Sequence, residues 1–586
     1  MCGIAGLFGP DGADESLAER MTKLISHRGP DGCRSWSEEC TYGGIGFGHA
    51  RLSIVDLAGS DQPLFSDTGT VVIQTGEIYN HQEIRDAHRE YPFRTKGDGE
   101  TILAAYAARK SNVDWVKRLD GIWGFALWDT KREALILCRD PLGVKPLVRT
   151  LTKNGTLLFA SEAKSLRGHP DYSPSLDVEA LIARIAYEYP LDDTTLFQDV
   201  YQVRPGTVET WILTESGAKL ESVESYHSDV VRPDSEWSID SAPALLESLT
   251  TSIADRLMSD VPLGIILSGG LDSAMVAALA HEASGRTGYP LPACWTVAES
   301  EDNPDWLAAE EVCSALELEH HQHILKEDNF AKTLPDLSWF GEDLDVTVLF
   351  FQPLFKKMSE SVTVGLCGQG ADELHAGYPR YKNLENLRAQ INARLESSDH
   401  PFARRLLSEP ISGEGWTEVN HSPNVAFADL ESTLQYELDH GQLTNFQLRL
   451  VDRHSMAHGL EVRVPFLGES HREASHRLPM NWRLSPTQEK LALREAANLT
   501  KLPKSIVHRP KLPAGRATSP TLIDNLLEEL GGHAKEYATD IPAVSGMFED
   551  QPEIALGLRL FRSLHLTDGG VGRYGKDLMT LLEDVD

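Results

Sequence analysis

At 586 residues the chain is too long for one ordinary core, at roughly 150 residues per domain, and its 41% hydrophobic and 24% charged content is that of a globular protein in water. Lys and Arg number 55 against 88 Asp and Glu, a net charge of −33, and no stretch gathers enough cations to neutralise a phosphate backbone, which excludes a general nucleic-acid binder. Seven cysteines with no CxxC pair exclude a disulfide-stapled scaffold, and neither a leader pattern nor a run of about 18 apolar residues is present, so a reducing cytoplasm and no membrane partner are expected.

The chain opens Met1-Cys2-Gly3-Ile4-Ala5-Gly6. A cysteine that becomes the first residue after methionine removal has its own α-amine as a base: the amine takes the thiol proton and returns it to a leaving amine. From there to about Pro205, short apolar alternations broken by Gly, Pro and Asp read as strands of stacked antiparallel sheets: Gly44 to Gly48, Val71 to Gln74, Gly124 to Trp128, Ala134 to Cys138 and Thr156 to Ala160. Helices are expected at Leu17 to Ile25 and Glu100 to Ala108. The fold class predicted for residues 2–214 is therefore α+β, an αββα sandwich. The polar stretch 215–241 has no sustained period and is read as a linker.

Residues 242–586 read as a second domain, α/β with a doubly wound parallel sheet and a helical C-terminal part from about Leu384. A helix at Ala242 to Leu257 leads to the apolar run Pro262 to Leu267, then Ser268-Gly269-Gly270-Leu271-Asp272-Ser273, then a helix at Met275 to Ala283. Strand, Gly-rich loop and helix are how such a sheet presents a phosphate site at its carboxyl edge, with backbone amides and the helix N-terminus facing the anion. A second such turn follows Val362 to Leu366, at Cys367-Gly368-Gln369-Gly370-Ala371-Asp372-Glu373.

With Cys2 come His27 to Gly32, His49 to Asp56, Gly76 to His81 and Gly97 to Glu100; with Ser268 to Ser273 come Asp452 to Leu467 and Gln488 to Arg494. On these segments the chain resembles the class II, N-terminal-nucleophile glutamine amidotransferases and, from Met1 to beyond Lys490, the asparagine synthetase family. The resemblance implies that Cys2 attacks the glutamine side-chain amide, that Arg51 holds the substrate α-carboxylate, and that Asp98 with Glu77 receives its α-amine. It implies ATP at Ser268 to Ser273, with Leu267 and Val297 on the adenine side and Cys367-Gly368 against the nucleotide. Mg²⁺ would sit on Asp272 and Asp372, and Lys490 would balance the departing pyrophosphate. It also implies glutamine, ATP and a carboxylate acceptor as substrates, a tunnel for ammonia, and a homodimer as the common assembly.

Two positions depart from the family pattern. Thr75 stands where the family has Asn, whose amide joins the Gly76 N–H in the oxyanion hole; loss of one such donor commonly costs two to three orders of magnitude in turnover. Gln369 stands where well-understood asparagine synthetases have Glu, and an amide is no carboxylate base. The position expected to carry an arginine for aspartate aligns with Phe350. Aspartate is the default acceptor; the alternatives are amidation of another carboxylate, an adenylating cyclase that uses no glutamine, and a non-catalytic relic.

Overall fold

The computed structural model describes residues 2–234, 236–325, 330–413, 418–512, 520–567 and 570–585. Two six-stranded antiparallel sheets form the N-terminal half. One runs, in spatial order, Tyr201–Gln202, Val148–Leu151, Leu157–Ala160, Gly3–Gly9, Gly43–Arg51, Gly32–Cys40; the other Gly217–Ser225, Thr207–Thr214, Ala134–Arg139, Gly121–Asp129, Thr70–Ile78, Leu64–Phe65. Their facing sides interdigitate Ile4, Phe8, Phe47, Ile73, Trp128 and Phe159, all buried. The helix Glu15–Lys23 covers one outer face, and Glu100–Ala107 packs on the other. The αββα arrangement follows from period-two patterning on strands whose two faces are both buried.

One boundary is corrected. The stretch 215–241 is not wholly a linker, because Gly217–Ser225 is an edge strand paired with Thr207–Thr214. Its alternation was hidden by a bulge: Trp211 faces Leu220 but Thr210 faces Ser222, so Glu221 is skipped and the apolar residues on either side fall out of phase.

The C-terminal half is built on a five-stranded parallel sheet ordered His320–Ile324, Ala293–Ala298, Leu263–Ile266, Val364–Leu366, Glu461–Arg463. From Leu263–Ile266 the chain winds outward in one direction, then returns to add Val364–Leu366 on the other side. The strand order therefore reverses between these two neighbours, and their carboxyl ends make the crevice where an open α/β sheet binds ligand. The last strand lies within the region expected to be helical, three residues long and parallel to Val364–Leu366. Most of the remainder is helix, and no helix among the described residues is long and apolar enough to cross a membrane.

The halves are joined through buried charge. Arg28 bonds Glu162 at 2.8 Å and Asp452 at 2.9 Å; Lys145 reaches Asp452 at 3.3 Å; Lys164 pairs with Glu162 and, at 3.3 Å, with Glu342; Arg453 stands 3.4 Å from both Glu162 and Glu342. A second cluster pairs Arg184 with Asp343 and Asp345, at 2.5 and 3.0 Å, and Arg449 with the same two acids. Removing one member of such a network strands the others in low dielectric at about 3–5 kcal/mol. Arg28→Ala should therefore lower the unfolding free energy by an amount of that size, measured by urea unfolding, whereas a loss below about 1 kcal/mol, the size for an exposed pair, would contradict the burial of this network.

Candidate active site

Cys2 stands at the start of a central strand, at the carboxyl end of the antiparallel neighbour Gly43–Arg51. Its thiol is buried and directed at the Leu52 carbonyl, with Sγ 3.8 Å from the oxygen. Burial pushes the thiol up to about 11, and Glu77 and Asp98 add to the shift. At neutral pH such a thiol is protonated, and a base would have to act for it to serve as a nucleophile. The Cys2 carbonyl accepts hydrogen bonds from Thr75 Oγ1 at 2.6 Å and from Arg28 Nε at 3.3 Å.

The first of these bonds decides what Thr75 does here. A hydroxyl has one proton, and that of Thr75 is spent on Cys2. Gly76 has φ +117°, and a Cβ there would stand 1.9 Å from the Ile122 carbonyl oxygen, so only glycine fits. Beyond it, Glu77 is buried, and burial together with Asp98 and Glu461 holds its carboxyl well above the usual range. Asp98 Oδ2 accepts from Gln74 Nε2 at 2.8 Å and from the Ile78 N–H at 2.9 Å. Gln74 was not singled out by sequence; it orients Asp98 across the pocket.

Arg51 lies at the strand end next to Leu52, and its guanidinium grips the loop that follows. Nη1 donates to the Leu57 carbonyl at 3.0 Å and to Asp61 Oδ1 at 2.9 Å, and Nη2 to the Asp56 carbonyl at 3.0 Å. A carboxylate, that of Asp61, thus already occupies part of the fork that the resemblance assigns to the substrate's carboxylate.

In the second half the loop Leu267 to Gly270 joins the central strand to the helix Leu271–Thr287, placing Asp272 and Ser273 in the helix's first turn. The loop is pinned from outside: the Leu267 N–H donates to the Trp295 carbonyl at 2.9 Å, and Thr296 Oγ1 donates to the Leu267 carbonyl at 2.8 Å. Ser273 Oγ accepts from the Ser268 N–H at 3.1 Å and donates to the Gly270 carbonyl at 3.2 Å, closing the turn. Gly269 has φ +70° and passes so near the Asp305 carbonyl that a Cβ would stand 2.5 Å away. Arg509, which sequence did not mark, donates to the Gly269 carbonyl at 2.9 Å and to Asp305 at 2.8 Å.

The neighbouring strand end brings Cys367 and Gly368 against this turn, with a Gly368 Cβ position 2.8 Å from the Asp272 Cβ. Val297, Cys367 and Phe350 are buried in one apolar core, Phe350 edge-on to Phe351; Leu267 is buried in a second core cluster. Gln369 Nε2 donates to Gln447 Oε1 at 2.7 Å.

Asp272 and Asp372 converge on one ammonium. Lys490 Nζ lies 2.6 Å from each carboxylate, and Lys511 Nζ lies 2.7 Å from Asp372. Burial alone would raise the Asp372 carboxyl, but the two lysines hold it well below the usual range. Lys490 takes φ +59°, and a Cβ on Gly377 would stand 2.0 Å from both Lys490 Cε and Asp372 Oδ1, so the pairing is tightly shaped. Here Lys490 thus neutralises the two acids. Two convergent carboxylates are a hard oxygen donor set that fits Mg²⁺. Lys511 carries no motif and was invisible in the sequence. Glu373, the next residue, accepts from Tyr378 OH at 2.5 Å, and burial beside Asp372 pushes its carboxyl up to about 7.

Residues 1–226 match a family described as a glutamine amidotransferase domain, and residues 244–550 one described as asparagine synthase. The chain belongs to the asparagine synthetase family. A glutamine-hydrolyzing asparagine synthetase of Bos taurus is 30% identical, with 87% of this chain and 83% of that one covered; one of Bacillus subtilis is 28% identical, covering 87% and 86%. Among solved structures, the glutamine phosphoribosylpyrophosphate amidotransferase of Bacillus subtilis aligns at 16% identity with a TM-score of 0.29, over 48% of this chain and 64% of that one, too slight a likeness to argue from.

The Thr75–Cys2 bond makes a direct prediction. Thr75→Asn, which restores a side-chain amide beside Gly76, should raise glutamine turnover by about ten- to a hundredfold, while Thr75→Ala should change it less than about threefold, a hydroxyl donor to an oxyanion being worth far more than that. Glutamate release measured on both variants checks this; a large loss in Thr75→Ala would show that the hydroxyl serves the oxyanion.

Proposed function

We propose that this member of the asparagine synthetase family couples hydrolysis of glutamine at Cys2 to ATP-driven formation of an amide at the crevice of the parallel sheet. Cys2, freed of Met1, gives its thiol proton to its own α-amine and attacks the glutamine amide; the Gly76 N–H faces the developing oxyanion. Arg51 receives the substrate carboxylate once Asp61 shares or yields the guanidinium, and Asp98 and Glu77 receive the α-amine, an ammonium against acids.

In the other half, Ser268 to Ser273 present backbone amides and a helix N-terminus to the ATP phosphates, with Leu267, Val297, Cys367 and Gly368 around the nucleotide. Asp272 and Asp372 would hold Mg²⁺, which when bound neutralises phosphate charge. Lys490 and Lys511, released from those acids, are left beside the phosphates. The acceptor carboxylate becomes an acyl adenylate, ammonia attacks it, and an amide, AMP, pyrophosphate and glutamate result. The proton that Gln369 cannot take is assigned to Glu373, a buried carboxyl beside Asp372 that accepts from the Tyr378 hydroxyl.

The observation that carries this reading is the continuity between the sites. Arg28 bonds both the Cys2 carbonyl and Asp452, Lys145 bonds the same Asp452, and the Cys367 N–H bonds the Arg463 carbonyl on the strand that carries Glu461, whose charge reaches Glu77. A cavity lined by Val144, Ala163, Glu342, Thr444, Asp452 and Arg453 lies at that interface.

Aspartate is the acceptor proposed. With Mg-ATP, glutamine and aspartate the protein should form asparagine, AMP and glutamate in near-equal amounts, and Cys2→Ala should abolish only the glutamine-dependent part. Glu373→Gln should lose amide formation and keep aspartate-dependent pyrophosphate exchange into ATP. Glutamate without AMP or asparagine would show that aspartate is the wrong acceptor and turn attention to a less polar carboxylate, as Phe350 would favour.

A further inference from the structure

Away from both reaction sites, Asp192, His421 and His440 turn three ligand atoms toward one another, all within 4.8 Å. His421 Nε2 is 3.0 Å from Asp192 Oδ2, and His440 Nδ1 is 2.8 Å from Asp192 Oδ1. The side chains of His421 and Asp192 are 1% and 4% exposed and that of His440 14%, so the cluster is buried but reachable. Ligand atoms held about 2.0–2.1 Å from a tetrahedral zinc ion lie roughly 3.3 Å apart. His421 meets Asp192 Oδ2 and His440 meets Asp192 Oδ1, so one ion would take a nitrogen from each ring and a carboxylate oxygen, the three ligand atoms, now within 4.8 Å of one another, settling toward that spacing.

The surroundings are built to hold these groups still. Asp192 sits at φ +55°, a region that residues other than glycine seldom take, fixed by its N–H on the His440 carbonyl at 3.2 Å and by Asn445 Nδ2 on its own carbonyl at 2.9 Å. Tyr436 lies one turn before His440 on the helix Leu430–Asp439, and its hydroxyl is 2.9 Å from His421 Nδ1. A hydrogen bond on the far ring nitrogen is what orients a metal-bound histidine and selects its tautomer. Acids gather around the cluster: Asp193, Asp177 and Glu179 line one adjoining cavity, Asp439 and Asp229 the other, and Asp192 borders both. The cavities leave room for water as a fourth ligand; Asp229 is paired with Arg472, and Arg204 lines the same cavity.

We propose that Asp192, His421 and His440 bind one divalent transition-metal ion of the zinc class, which staples the two halves of the chain together. Asp192 belongs to the amidotransferase half and both histidines to the synthetase half. Without the ion, a ring N–H of each imidazole can donate to Asp192; on binding, that nitrogen takes the metal and the ring's proton sits on the other nitrogen, which in His421 is the one beside the Tyr436 hydroxyl.

The test uses the full-length protein, dialysed against a chelator and titrated with Co²⁺, followed by its visible spectrum, and with Zn²⁺ by calorimetry. The expected result is one ion per chain with the intense visible bands of a low-coordinate nitrogen and oxygen site. Affinity should fall at least tenfold in Asp192→Asn and in the less buried His440→Gln, and should be kept in Asp272→Asn, which removes a carboxylate of the ATP site. Zn²⁺ should raise the unfolding temperature of the unaltered chain and of Asp272→Asn only. No stoichiometric binding, or binding and stabilisation that persist in both Asp192→Asn and His440→Gln, would overturn the proposal. Circular dichroism of each variant shows whether it is folded, and His440→Gln, at a partly exposed helix end, keeps the test available if Asp192→Asn is not.

Discussion

The structure depends on a buried ionic network that neither half can satisfy alone. Arg28, Lys145, Glu162 and Lys164 come from the sandwich, Glu342, Asp452 and Arg453 from the parallel-sheet half, and all are shielded from water. Separated, each half would expose or strand several of these charges; docked, each charge has at least one opposite partner. Such a network adds little net stability over an apolar interface, but a shifted docking would leave several of its charges buried without partners. That selectivity is what a two-site enzyme needs, since Arg28 belongs at once to the network and to the Cys2 carbonyl.

Around this interface the two reaction sites show opposite electrostatic designs. The glutaminase pocket gathers acids, Glu77 and Asp98, against a thiol that burial keeps protonated. In the proposed reading, a cationic α-amine would relieve the acids and an internal base would activate the sulfur. The ATP site is balanced at rest: Lys490 and Lys511 neutralise Asp272 and Asp372. In the proposed reading, nucleotide and metal arriving together would exchange these internal pairs for external ones, so that the buried acids keep a partner throughout.

What the sequence disclosed was the part whose physics is local. The turn Ser268 to Ser273 was legible because a strand, two glycines and a helix start must lie next to one another along the chain to make a phosphate cradle. Cys2 was legible from its place after the initiator methionine, and Gly76 from the family resemblance. The network was not: Arg28 and Asp452 are 424 positions apart, and nothing in either neighbourhood names the other. Lys511 and Arg509 reach their partners only after the chain has folded back across the sheet. The edge strand Gly217–Ser225 escaped because a bulge breaks its alternation, and because edge strands carry the Lys and Glu of a linker. Thr75 was visible as a departure, but its engagement with the Cys2 carbonyl required coordinates.

The central claim is that ammonia released at Cys2 reaches the acyl adenylate through the docked interface without entering solvent. The most direct measurement supplies glutamine labelled with ¹⁵N at its amide, Mg-ATP and the acceptor in an excess of unlabelled ammonium, and reads the isotope in the product amide. The account predicts product that carries the glutamine label nearly undiluted, with dilution growing in an Arg28 variant that loosens the interface. Product whose label simply reflects the bulk ammonium pool would contradict it.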